Sequence, residues 1–137
     1  LTGLEEQNLA LVAELHRRQG EMYAGGAIEP VLELLAPDVV WHVPGRSPIA
    51  GEHAGHRGVA RYFELRRGLV ESTMLMSPGE AICSGDSVAH FVEGEAAADG
   101  EQVRWQTVGA YRIEGGLVCE VWLVPLNLGL FDRIWAG

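Results

Sequence analysis

The sequence predicts an α+β fold with helices packed on one face of a curved antiparallel sheet, and three observations carry that reading. Apolar residues recur at helical spacing through the first half of the chain, as far as about Glu71. From Thr73 onward the period changes to two and β-branched residues rise. Three glycine turns, Ser84-Gly85-Asp86, Asp99-Gly100 and Glu114-Gly115-Gly116, divide this second half into lengths that suit hairpins.

In the first helix, Leu4, Leu11, Val12, Leu15, Met22 and Tyr23 form an apolar side, with Glu5, Glu6, Arg17, Arg18 and Glu21 between them. Gly25-Gly26 ends it, because glycine leaves a helix most readily through the left-handed region. A short second helix, Ile28 to Leu35, tolerates Pro30 in its first turn, and Pro37 closes it. Asp38 starts a strand that breaks at Pro44-Gly45. The connection after it carries Arg46, His53 and His56. A third helix, about His56 to Glu71, sets Val59, Tyr62, Phe63, Arg66, Leu69 and Val70 on one face. Strands follow near 73–83, 87–97, 102–114 and 117–126, and Leu128 to Trp135 fold over at the end.

A chain of 137 residues suits one domain, 1–137, with a single substantial core. The formal charge of −9 argues against nucleic acid as a partner, since that affinity rests on basic side chains replacing counterions. All ten basic residues are arginine, so Schiff-base, pyridoxal phosphate and phosphate-loop lysine chemistry have no lysine to use, and no cofactor is expected. Cys83 and Cys119 lie in apolar strand-like surroundings and read as free thiols. No apolar run approaches the ~18 residues of a membrane span. The acidic start, Leu1 to Asn8, lacks the features of a signal peptide, so the expected location is cytoplasmic, away from membranes.

The element order, together with Ala36-Pro37-Asp38-Val39-Val40-Trp41-His42 and the run from Tyr111 to Trp122, resembles the nuclear transport factor 2-like superfamily, and within it the SnoaL-like branch. The resemblance implies a cone-shaped sheet with a deep pocket at its wide end. It also implies a protein related to ketosteroid isomerases, polyketide cyclases, epoxide hydrolases, dehydratases and non-catalytic binders. The family acids are missing here. Val43 stands where an isomerase carries its base, Gln19 near the place of a tyrosine donor, and Gly109 near that of a protonated aspartate. The segment that holds an aspartate in cyclases offers Asn127 instead.

With Val43 facing the pocket, alternation turns Trp41 and Val39 inward and His42 outward. The same argument turns Val103, Trp105, Thr107, Gly109, Tyr111 and Ile113 inward, and His90 with them. His90 is the candidate general acid/base, since its ordinary pKa of ~6.5 suits proton transfer; the alternative is a core histidine bonded to a backbone carbonyl or to Tyr111. Asn127 and Tyr111 are candidate donors to an oxyanion, although Asn127 could equally cap the final turn. Arg46 could pair with a substrate carboxylate or phenolate, or with a surface glutamate. Trp41, Val43, Tyr62 and Trp105 are read as apolar lining and His53 as a rim residue. The spacing of His53 and His56 invites a metal, but the segment lacks helical i, i+4 geometry and a third ligand, so no metal is expected.

Two functions follow. The first is a cofactor-free isomerase, cyclase, dehydratase or hydrolase that acts on a hydrophobic, oxygenated ring compound by general acid/base catalysis. The second is a non-catalytic binding or scaffolding module with the same pocket. Trp122 on the outer face suggests a homodimer.

Overall fold

Thr2 starts the chain's first element with a reciprocal cap. Its hydroxyl accepts from the Glu5 amide at 3.1 Å, and the Glu5 carboxylate accepts from the Thr2 amide at 3.0 Å. The computed structural model of the chain describes residues 1–69, 74–98 and 100–136. Helix α1 spans Gly3–Tyr23 and buries Asn8, Val12, Leu15, His16, Gln19, Met22 and Tyr23. Gly25 ends the helix at φ 108°, and the amides of Gly25 and Gly26 return to the carbonyls of Met22 and Glu21.

Helix α2, Glu29–Leu32, is half the expected length, and strand β1 begins already at Leu35 and runs to Val43. Two forces shorten the helix. Pro37 disfavours helical backbone at Ala36. The carbonyl of Leu34 is taken by the amide of Val118, 2.9 Å away, while Leu35 pairs with Val118. A four-residue strand, β2 (Gly51–Ala54), then pairs antiparallel with β1 where sequence reasoning expected a loop. Helix α3, Gly55–Leu69, buries Val59, Tyr62, Phe63 and Arg66. The expected ends at Glu71 and Thr73, and Asp99 in the second turn, lie outside the described residues.

Four long strands follow: β3 (Leu75–Ser84), β4 (Ser87–Ala98), β5 (Glu101–Glu114) and β6 (Leu117–Pro125). Helix α4, Leu128–Ile134, ends the fold. The six-stranded sheet has the order β2-β1-β6-β5-β4-β3. The antiparallel expectation holds for every neighbouring pair except one: β1 lies parallel to β6, so the sheet is mixed. A parallel partner cannot be reached by a hairpin, which is why the pairing joins residues as far apart as Trp41 and Val121.

The sheet curves round α1 and α3 without closing. Trp41, Tyr62, Phe63, Phe131 and Trp135 fill the space between, all fully buried. The connection from β1 to β2 is fastened to α4. Gly45, at φ 101°, leaves no room for a Cβ because the Asp132 carboxylate occupies that place, and Asp132 accepts the Arg46 amide at 3.0 Å. No helix among the described residues is long and apolar enough to cross a membrane.

Candidate active site

Inside the curve lies a cavity lined by His16 and Gln19 of α1, Trp41 of β1, Arg66 of α3, and Trp105, Thr107, Gly109 and Tyr111 of β5. Half-buried Met76, Val92 and Leu123 complete the lining on its more open side. The hollow measures about 400 Å3 with its mouth, but its free interior of about 30 Å3 is tight. At ~10–15 Å3 each, that is room for roughly two waters.

Strand alternation aims the β5 residues inward as expected, and glycine makes two of the rings fit. A Cβ on Gly94 would collide with the Trp105 indole, and one on Gly109 with the Tyr111 ring. The space where the resemblance would put an aspartate is thus taken by a phenol.

His16 sits in the apolar stripe of α1, four residues after Val12. Its Nδ1 donates to the Val12 carbonyl at 2.9 Å, which leaves a lone pair on Nε2. Tyr111 donates its hydroxyl to that lone pair at 3.3 Å. Burial, opposed by the bond to Val12 and helped by His90, lowers the His16 pKa to about 4, so the ring is neutral at pH 7. Burial likewise pushes the Tyr111 and Tyr62 hydroxyls above their ordinary range and keeps them protonated.

Arg66 follows Tyr62 by one helical turn and is 4% exposed. One of its Nη atoms donates to the Tyr62 hydroxyl at 2.7 Å. Its guanidinium lies over the ring of Trp135 at 4.6 Å, with Tyr23 and Tyr62 at 5.7 and 5.8 Å. Its Nε finds no hydrogen-bond partner. None of the ion pairs among the described residues involves it. Burial works against the charge, yet the Tyr23 and Tyr62 hydroxyls outweigh it, and the group titrates above its ordinary value. A buried ion costs several kcal/mol to desolvate. Cation–π contacts of about 0.5–2 kcal/mol each soften that cost without supplying a negative charge.

The residues singled out from the sequence divide. Trp41, Trp105 and Tyr111 line the cavity. Tyr62 lies behind it, fully buried, holding Arg66. His90 is inward and buried, but it is not among the lining residues; its Nε2 donates to the Gly79 carbonyl at 3.2 Å, as one of its two readings had it. Val43 is packed into the core beyond the cavity. Asn127 is exposed and caps α4, accepting the Leu130 amide at 3.0 Å. Arg46 is exposed on its loop, because Asp132 holds its amide rather than its side chain. His53 donates to the Ile49 carbonyl at 2.7 Å, and His56 to that of Leu35 at 2.9 Å, so both bond to the backbone. His42 faces outward, bonded to Glu120 at 2.6 Å and stacked on Trp122.

Sequence reasoning assigned no role to His16, Gln19 or Arg66. The signal was present as polar residues inside two apolar helical stripes.

Fold and cavity together define an α+β protein whose curved sheet holds a hollow lined by aromatic, aliphatic and a few polar side chains. Residues 16–121 match the SnoaL-like domain, and the chain belongs to that family. A protein from a soil-derived mobile gene cassette is 25% identical, with 96% of this chain and 98% of that one covered and a TM-score of 0.83. A nuclear transport factor 2-like protein of unknown function from Burkholderia pseudomallei is 21% identical, with coverage of 96% and 98% and a TM-score of 0.83. A SnoaL-like polyketide cyclase from Jannaschia sp. is 17% identical, with coverage of 100% and 97% and a TM-score of 0.79. No curated protein matches the chain significantly.

Proposed function

We propose that the protein is a cofactor-free proton-transfer enzyme of the isomerase or cyclase type, acting on a hydrophobic, oxygenated ring compound. The observation that carries this reading is the His16–Tyr111 couple beside a buried cation in one cavity. His16 Nε2 is the general base, a role first given to His90. With a pKa of about 4 it is as weak a base as a carboxylate, and it is uncharged and ready at neutral pH.

The couple can serve both ends of the reaction. Tyr111 donates to His16. When Nε2 takes a proton from the substrate it becomes a donor to the phenol oxygen. The Tyr111 hydroxyl is then free to turn toward the oxyanion that forms, and the Arg66 charge stabilises the same oxyanion in a water-poor space. Trp41 and Trp105 supply the apolar walls. Met76, unbranched and half-buried on the open side, is the lining side chain most able to make room for a ring.

The test is hydrogen–deuterium exchange next to the carbonyl of 2-tetralone in D2O, followed by NMR. The expected result is exchange above the buffer rate that His16→Gln removes. Binding of 2-tetralone with exchange at the buffer rate would instead favour a non-catalytic binding module. One feature supports that second reading: among the described residues no carboxylate lines the cavity.

We also propose that the outer sheet face pairs two copies of the chain. Ile82, Ala89, Ala110 and Trp122 form one row across four strands, and Phe91, Val108 and Val124 the next. Ile82, Phe91, Trp122 and Val124 are exposed there, and contiguous apolar surface of this kind marks an interaction site.

A further inference from the structure

We infer that the cavity takes its ligand as a planar organic oxyanion, an aryl carboxylate or an acidic phenol or enol, with Arg66 as the counter-ion. This deepens the proposed function and rests on the same cavity being the substrate site. The argument starts from what surrounds the guanidinium. Its neighbours are three aromatic rings and the protonated hydroxyls of Tyr23 and Tyr62, and among the described residues no carboxylate pairs with it. Its Nε is buried with no hydrogen-bond partner. The rest of the lining is also without negative charge, being histidine, glutamine, threonine, tyrosine, tryptophan and apolar residues. A buried charge with no counter-charge among the described residues is best satisfied by an opposite charge that the ligand brings.

Shape narrows the class. A guanidinium fork suits a carboxylate, or an oxygen pair in one plane, better than a spherical ion. The two tryptophans of the lining, Trp41 and Trp105, favour a flat ring attached to that group. The Thr107 hydroxyl is buried in the same lining with no hydrogen-bond partner. It offers a further donor to the anion.

Two matched pairs of small molecules test this by calorimetry on the wild-type protein at pH 7.5: benzoate with methyl benzoate, and 4-nitrophenolate with 4-nitroanisole. The expected result is that the anion of at least one pair binds roughly tenfold or more tighter than its neutral partner. The pair with the larger preference identifies the ligand as carboxylate or phenolate. Bound 4-nitrophenol should also stay ionised, by its absorbance, at a pH where the free compound is protonated.

Arg66→Met keeps the stem and removes the charge. It should weaken the preferred anion roughly 30-fold or more and leave the neutral partner little changed. If that variant fails to fold, the wild-type pairs and the absorbance shift decide alone. Neutral partners that bind as tightly as the anions would overturn the inference and leave the proton-transfer reading standing. No binding by any of the four compounds, together with none by 2-tetralone, would overturn both.

Discussion

His16 and His90 meet edge to face, ring centroids 4.4 Å apart, yet each gives its one proton to a different backbone carbonyl. Both are buried, and burial lowers the pKa of each. Unfolded, His16 takes a proton near pH ~6.5; folded, it resists until about pH 4. Between those values the unfolded chain binds more protons, so stability is full above pH ~6.5 and falls as the solution is acidified. His16 alone accounts for about 3 kcal/mol of that loss. Urea denaturation at a series of pH values from 7 down to 4.5 checks this. The His16→Gln protein should lose less stability over the same range, and an equal loss would remove His16 as the cause.

Tyr111→Phe leaves the ring in place and removes the hydroxyl that His16 Nε2 accepts. Stability should fall by about 1 kcal/mol, the usual net worth of one hydrogen bond. Deuterium exchange into 2-tetralone should slow roughly 100-fold, since a donor to the developing oxyanion is gone. A rate equal to wild type would exclude the couple from the reaction.

Gly109→Ala puts a methyl group where the Tyr111 ring lies. The strand backbone cannot give way easily, so the phenol must move off His16. Thermal denaturation should show a cost of about 1–3 kcal/mol, and exchange activity should fall with it. Gly94→Ala does the same to the Trp105 indole and should be visible as a change in tryptophan fluorescence. Variants as stable as wild type with unchanged spectra would show that the two rings are not held as described.

Asn127→Ala and Arg46→Ala provide the contrast. The first loses the cap of α4 and should cost about 1 kcal/mol in a thermal melt. The second removes an exposed side chain whose amide does the bonding, and should cost less than about 0.5 kcal/mol. Neither should alter ligand affinity or the exchange rate, and a large change in either would bring the loop or the cap back into the site.

Trp122→Glu places a charge at the β6 end of the first apolar row, two residues along the strand from Glu120. Sedimentation should show a dimer for the wild-type chain and a monomer for the variant. A wild-type monomer at every concentration would rule out the pairing of outer faces.

Much of the fold was legible because its signals are local. Period-two alternation along β5 turned Trp105, Thr107 and Tyr111 inward, and the burial of those residues follows it. The three glycine turns marked where strands end. What escaped notice depends on distant partners. Strand β2 is four residues of Gly-Glu-His-Ala that become a strand only because β1 lies beside them. The second helix was cut short by a bond from Val118, far along the chain. In the site the aromatic lining could be read from alternation, but His16, Gln19 and Arg66 interrupt apolar helical faces and were passed over as breaks in a pattern. Of the two arginines, Arg46 on its loop is in water, and Arg66, on the packing face of α3, is the buried one.

The parallel seam between β1 and β6 also governs the order in which the molecule can assemble. Trp41 meets its neighbour Val121 only when the chain has closed a very long loop, an entropic toll that local hairpins avoid. The three hairpins of β3 to β6 can zip while β1 is still adrift. The cavity, which takes Trp41 from β1 and Leu123 from β6, is therefore incomplete in a nascent chain that stops short of Leu117, even though most of the secondary structure is then in place.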